Sequence, residues 1–263
     1  MRIREFSPSG TRVQPAGAKA QGLWDTLEVF MKRLILVHGD KGGIGKSTTA
    51  RALLDWSIRQ ERHYTAFDSD HRNPHLFRYY DAIHPVKRVD VMSQGGIDPV
   101  FNELATGDRN VLVDLPAGVG TSLERLFQEV DIGDALAELG ARATLVVVIS
   151  RLKDSIEVLR LTMEAFKDVP TDYVVVKNLY FGDSDKFTRY EHSKTRKDAL
   201  AKGAVEINMP DLLDDVYDCM DERNLPFLKA ISKDELLFAT RQRVKSWMRR
   251  FDEELGKAQK FLL

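Results

Sequence analysis

Short apolar runs recur along the chain: Leu34 to Val37, Tyr64 to Phe67, Asn110 to Leu115, Thr144 to Ser150, Tyr173 to Val176 and Ala204 to Asn208. They are continuous rather than alternating, the pattern of strands buried on both faces, as in a parallel sheet covered by helices. Between them lie amphipathic stretches. Ser47 to Gln60 carries Ala50, Leu53, Leu54, Trp56 and Ile58 on one face, and Asp154 to Phe166 reads the same way. This βα alternation predicts an α/β domain. Tyr79 to Gly96 is less legible, with a short strand expected around Val86 to Val91 and a helix near Pro99 to Ala105. Leu123, Leu126, Phe127 and Val130 form a stripe that predicts a helix over Thr121 to Leu139, although Val130 to Gly140 also reads as a separate turn and helix. Tyr180 to Asp198 is charged and reads as a loop carrying the start of a short helix.

The two ends of the chain read differently. Met1 to Gly22 is rich in Pro, Gly, Ala and basic residues without an apolar period, so residues 1–30 are expected to be a disordered extension. A transit peptide is compatible with that composition, and Met31 is the expected true start. From Leu212 to Leu263 the pattern is helical, with Val244, Trp247, Met248, Phe251 and Leu255 in one stripe flanked by Arg241, Arg243, Lys245, Arg249 and Arg250. Such a helix can pack its stripe on the domain, bind a protein or DNA through its arginines, or lie on an anionic membrane. Packing is the expected use. Membrane association is not favoured, because Asp252, Glu253 and Glu254 interrupt the basic face.

Composition narrows the class. The chain has 263 residues, 43% hydrophobic and 30% charged, with a formal net charge of −1, which argues against a protein that coats nucleic acid all over. The single Cys219 excludes an internal disulfide and fits a reducing cytoplasm. No apolar run reaches the roughly 20 residues that span a bilayer. His71, His75 and His84 cluster in sequence, but Pro74 breaks a shared helix face, and no metal-ligand spacing is completed.

The chemistry starts at the end of the first strand, where Leu36 to Ala50 reads LVHGDKGGIGKSTTA. Gly42, Gly43 and Gly45 permit the curved backbone that turns successive N–H groups onto phosphate oxygens. Lys46 is placed to reach β- and γ-phosphates and Ser47 to put its hydroxyl on Mg²⁺, at the positive end of the following helix. Asp40 stands where the common motif has glycine, and is expected to turn away or to pair with Lys41. After the second strand comes Asp68-Ser69-Asp70, followed by Asn73-Pro74; alone, this is an ordinary Asx turn. Its position at a strand's carboxyl end beside the loop makes a site the better reading.

Lys41 to Thr49 (KGGIGKSTT) resembles the deviant Walker A motif of the ParA and MinD ATPases, whose mark is the extra lysine at the place of Lys41. The resemblance runs through the motifs from about Met31 to Pro210. It extends to the plasmid transfer and stability relatives of the TraL and StbB sort, including the Gln-Arg-rich helix at Thr240 to Arg243. It implies a doubly wound, mostly parallel sheet with helices on both faces, divided as a P-loop domain over 31–211 and a helical extension over 212–263 packed on it. ATP and Mg²⁺ are the implied ligands. Gly42, Gly43, Ile44, Gly45, Lys46, Ser47 and Thr48 would bind the nucleotide. Asp70 would orient the attacking water, Asp68 and Asp114 would join Ser47 at the metal, and Gly118 and Gly120 would follow the γ-phosphate. Asn178 would read adenine, and Met209-Pro210-Asp211 would border the base. No N-K-x-D guanine signature is present, so ATP is expected over GTP. The implied function is a cytoplasmic switch in plasmid transfer, stability or partition, in which ATP closes a homodimer that docks on a protein or DNA cargo. There Lys41 crosses to the partner's nucleotide, and hydrolysis releases the cargo. A ligase or synthetase of the same superfamily, or a nucleotide sensor without turnover, is the alternative.

Overall fold

The computed structural model describes residues 31–39, 41–62, 64–118 and 130–263. The expected disordered extension, Asp40, Gly120 and residues 121–129 of the helix expected over Thr121 to Leu139 lie outside them. Lys32 to Leu263 forms one compact unit.

The apolar runs become seven strands in one sheet, every pair parallel: β1 (Arg33–His38), β2 (Thr65–Asp68), β3 (Val86–Arg88), β4 (Val111–Asp114), β5 (Arg142–Ile149), β6 (Thr171–Asn178) and β7 (Val205–Met209), in the order β3-β2-β4-β1-β5-β6-β7. The fold is the doubly wound one, and its cause is visible along β1. Ile35 and Val37 point into one apolar layer while Leu34 and Leu36 point into the other. Because alternate residues of a strand face opposite sides, a run with no polar residue needs helices on both.

Helices α1 (Lys46–Arg59) and α2 (His75–Tyr80) cover the first face. The second is covered by α3 (Asp98–Thr106), α4 (Ile132–Glu138), α5 (Lys153–Ala165), α6 (Thr188–Glu191) and α7 (Lys194–Ala201). Residues 130–140 follow the separate turn-and-helix reading: Asp131 takes a left-handed conformation and caps α4 through its side chain. Tyr180 to Asp198 holds more structure than its charge suggested. Two 3₁₀ turns, Leu179–Phe181 and Ser184–Lys186, precede α6 and the start of α7, and Phe187 and Tyr190 are fully buried.

The C-terminal segment completes the first face. It contains α8 (Asp214–Glu222), α9 (Phe227–Ala230), α10 (Phe238–Lys257) and α11 (Gln259–Leu262). The stripe of α10 is buried in the same apolar cluster as α1, with Trp247 stacked on Phe227 at 4.7 Å between ring centroids. Polar groups fix the register. Asp55 of α1 accepts from the Leu228 N–H at 2.7 Å, and Arg59 bridges Asp55 to Asp252, donating to both oxygens of Asp252 at 2.6 and 2.8 Å. Burial pushes the Asp55 carboxyl above its usual range, and Arg59 opposes that shift.

The last turn closes the amino-terminal edge of the sheet. Thr144 donates to the Phe261 carbonyl and Tyr64 to the Leu262 carbonyl, both at 2.7 Å, with Leu262 fully buried. Leu262→Ala should therefore destabilise the protein by about 3 kcal/mol through the cavity it leaves. Truncation after Ala258 should cost more, since it also strands two buried hydroxyls. Urea denaturation measures both, and an unchanged midpoint for the truncation would show that this turn adds nothing.

Candidate functional site

The carboxyl ends of the central strands bring the predicted motifs to one cavity of about 390 Å³. The loop after β1 supplies Gly42, Gly43, Gly45, Lys46, Ser47 and Thr48, the turn after β2 supplies Asp70 and Asn73, and Ala117 follows β4. Asn178, Met209 and Pro210 line it as well. Gly45 has φ of 101°, and a Cβ there would stand 2.6 Å from the Asn178 amide nitrogen and 2.8 Å from the Met209 methyl. Glycine is thus required at this position twice over, by dihedral and by space.

Lys46 is buried, and its ammonium donates to the carbonyl of Lys41 at 3.1 Å, folding back over its own loop. A phosphate oxygen would be a stronger partner for it than a neutral carbonyl. Lys41 lies at the surface, paired with Asp154 at the start of α5 at 2.5 Å, both side chains well exposed. An ion pair this open contributes little to stability, so Lys41 can leave it readily.

Asp114 is the most perturbed group of the site. It is fully buried, and neither of its carboxylate oxygens has a hydrogen-bond partner. Burial, reinforced by the charge of Asp68, pushes its pKa up to about 7, while the Ser47 hydroxyl and the Lys46 ammonium pull the other way. An orphaned carboxylate beside a hydroxyl suits a hard divalent cation, which takes oxygen ligands and in phosphate sites needs only one or two carboxylates. Ser47 and Asp114, with Asp68 behind them, fit that requirement. Among the described residues no cluster of three or more His, Cys, Asp or Glu could hold a metal unaided. A cation here would complete its shell with phosphate oxygens and water.

Asp68 and Asp70 shape the turn after β2. Asp68 is buried and accepts from the Asp70 and Phe77 N–H groups at 3.0 and 2.9 Å, so it holds the start of α2. Burial raises its pKa despite these bonds. One oxygen of Asp70 accepts from Arg72 and Asn73 N–H groups, the Asx turn foreseen as the ordinary alternative, and its other oxygen has no hydrogen-bond partner among the described residues. Turn and site coexist: the backbone bonds aim a carboxylate whose second oxygen stays available. Asn178 departs from expectation in its contacts. Its amide N–H donates to the Ile44 carbonyl at 2.9 Å and its carbonyl accepts from Tyr180 N–H, so it braces the phosphate loop from behind the base side. His38, the last residue of β1, is buried with both ring nitrogens unpartnered. Burial, then the Lys46 charge, lowers its pKa to about 4 and keeps it neutral behind the loop.

No protein-family model matches the chain. It is 27% identical to protein MobD of Acidithiobacillus ferrooxidans over 216 residues, which cover 82% of this chain and 93% of MobD. It is 24% identical to protein TraL of Escherichia coli over 241 residues, 87% of this chain and 99% of TraL. In fold it is similar to a nucleotide-binding protein of Archaeoglobus fulgidus solved in complex with ADP, with a TM-score of 0.51 and 17% identity over 79% of this chain and 91% of that one. The fold and the loop after β1 agree with the ParA/MinD resemblance of the sequence.

Part of the cavity is built by residues that the motifs did not reveal. His75, Leu212, Asp214, Tyr217 and Trp247 all line it. The Trp247 indole N–H donates to the Pro210 carbonyl at 2.6 Å, fixing the wall beside Met209. In sequence Trp247 is one member of an apolar stripe. Its polar edge was the available signal, because a buried indole N–H needs an acceptor. Tyr217 and Arg51 carried no signal, since their meeting depends on how α8 docks against α1.

The Asp114 environment gives a stability prediction. Its folded pKa lies above the unfolded value, so the stability it contributes is full below about pH 4 and is lost as pH rises through about 7. Asp114→Asn removes that loss. The variant should melt several degrees above the parent at pH 8, with the gap shrinking toward pH 5, as thermal unfolding without nucleotide would measure. A gap independent of pH would mean that Asp114 is not held against ionisation.

Proposed function

We infer that the protein is a Mg²⁺-ATP-dependent switch in which hydrolysis is coupled to dimerisation and to positioning of a cargo. The observation that carries the reading is the buried Asp114 carboxylate beside Ser47, neither of whose oxygens has a hydrogen-bond partner, at the foot of a loop whose buried Lys46 lines the cavity. A magnesium-bound triphosphate would give that carboxylate the partner it lacks.

The loop N–H groups and Lys46 would hold the β- and γ-phosphates, while Ser47 and Asp114, backed by Asp68, would hold the cation. When bound, Mg²⁺ would offset the charge on the phosphate oxygens. Asp70, fixed by its turn and with one oxygen open, would orient a water for in-line attack on the γ-phosphorus. The bond to the bridging oxygen breaks, giving ADP and phosphate. Positioning and charge neutralisation account for the rate, without a covalent intermediate. Asn178 would border adenine while bracing Ile44, and Pro210 would flank the base. That the similar Archaeoglobus protein holds ADP supports a nucleotide as the ligand.

Lys41 would leave Asp154 to meet the nucleotide of a second copy, which ties turnover to assembly. Similarity to MobD and TraL supports a place in plasmid mobilisation or transfer. The cargo would dock on α10. Its Arg243, Lys245, Arg249 and Arg250 are exposed and have no carboxylate partner among the described residues. The acids that interrupt the sequence pattern are largely engaged elsewhere, Asp252 by Arg59 and Glu254 by Lys257 and the Asn208 N–H. DNA fits a face of this charge. No helix among the described residues is long and apolar enough to cross a membrane.

Lys46→Ala should weaken ATP binding at least tenfold, about 1.4 kcal/mol; calorimetry that shows parental affinity rejects the phosphate-loop reading. Lys41→Ala should bind ATP normally yet neither dimerise nor turn over, whereas Asp70→Asn should stay dimeric with ATP and not hydrolyse it. Light scattering with ATP, together with phosphate release measured with and without DNA, separates these outcomes. A Lys41 variant that assembles and hydrolyses like the parent removes Lys41 from the mechanism.

A further inference from the structure

One turn beyond the phosphate loop, α1 buries a cation that the reading so far does not use. Arg51 is completely inaccessible to solvent and lies 3.4 Å from the centroid of the Tyr79 ring, with Phe227 at 5.1 Å. Its Nε and Nη2 have no hydrogen-bond partner. Among the described residues no carboxylate forms an ion pair with it, and Asp221, which feels its charge, is engaged by Tyr79 and Arg78. A guanidinium cannot shed its proton, so this charge persists in a low-dielectric site and favours negative charge in reach of it.

Its one hydrogen bond shows where that preference is delivered. Arg51 Nη1 donates to the Tyr217 hydroxyl at 3.3 Å, and the same hydroxyl lies 3.4 Å from Thr48 Oγ1 at the cavity wall. Arginine only donates, so the phenol oxygen is the acceptor and its own proton is left to point elsewhere. Accepting from a cation makes that O–H a stronger donor. Tyr217 lines the cavity together with Lys46, Ser47, Pro210 and Trp247, and its hydroxyl meets Thr48, the residue next after Ser47 in the loop. The part of a nucleotide that falls between β-phosphate and base, and carries negative charge, is the α-phosphate.

We propose that Tyr217, polarised by Arg51, is a direct ligand of the nucleotide α-phosphate, supplied by helix α8 rather than by the phosphate loop. The inference rests on the nucleotide-binding reading above. It assigns to the C-terminal segment a contact made alike by ATP, ADP and AMP, in contrast to Lys46, whose contact needs the β- and γ-phosphates.

Calorimetry on the full chain with ATP and ADP tests this. Tyr217→Phe keeps the ring and its packing, and should weaken both nucleotides by a similar factor of about five to twentyfold without lowering the melting temperature by more than a degree or two. Arg51→Met should weaken them in the same ratio. The sharper readout is ATP carrying a single sulfur on the α-phosphorus. The parent should discriminate between its two diastereomers and Tyr217→Phe should not, a difference that a merely structural role would leave in place. Parental affinity in Tyr217→Phe while Lys46→Ala loses ATP overturns the α-phosphate contact alone, and so does undiminished diastereomer discrimination. Failure of the parent itself to bind either nucleotide overturns the contact together with the nucleotide-binding reading.

Discussion

Desolvation of charge at the carboxyl ends of β1 and β4 is the constraint on which the rest of this structure depends. Lys46, Asp68 and Asp114 are all buried there, close enough that the first two shift the protonation of Asp114, and neither oxygen of Asp114 has a hydrogen-bond partner. A core assembled for stability alone would exclude them, because an unpaired buried charge is among the costliest features a protein can carry. The sheet tolerates them because its seven strands and two apolar layers supply burial on both faces. The cost is partly relieved by protonation of Asp114 and by the turn of Lys46 onto its own loop, two arrangements that a magnesium-bound anion would displace.

The C-terminal segment belongs to this site physically. Asp55 and Arg59 tie α1 to α9 and α10, so the helix that begins at the phosphate loop is clamped along its length by residues more than 160 positions away in sequence. Trp247 then reaches past that clamp to the Pro210 carbonyl. A rigid α1 keeps the loop's N–H groups directed at the cavity, and a fixed Pro210 sets the distance to the opposite wall. Preorganisation of this kind reduces what a ligand must spend in ordering its own site.

The strands and the phosphate loop were legible in the sequence because each is a local pattern. The continuous apolar runs located six strands to within about two residues; β3, expected over Val86 to Val91, ends at Arg88, and only Val86 of its three residues is buried. Lys46, Ser47, Asp70 and Asp114 were legible as residue types at strand ends; the first three line one cavity, and Asp114 is buried within the influence of Ser47 and Lys46. Their hydrogen bonds were not. That Asn178 braces Ile44 depends on β6 passing behind the loop, which no spacing encodes. Arg51 is sealed beneath rings from α2, α8 and α9, a meeting of distant elements that no local pattern marks. The acids of α10 were misleading for a related reason: Asp252 and Glu254 interrupt the basic sequence, but both are turned toward partners on α1, β7 or their own helix.

Helix α10 consequently has two working faces at a fixed separation. One carries Trp247 against the Pro210 carbonyl at the cavity, the other exposes Arg243, Lys245, Arg249 and Arg250. A helix whose stripe is buried along its whole length transmits displacement poorly by bending, so a cargo on its outer face acts on the cavity mainly by shifting the helix as a unit against α1. If cargo binding changes nucleotide affinity through that shift, linkage requires nucleotide binding to change cargo affinity by the same factor. The Arg59 fork on Asp252 sits between the two faces, and it is half-buried, so it resists such movement more than an exposed pair would. Coupling through α10 is therefore set less by the arginines that touch the cargo than by how far this inner ion pair lets the helix travel.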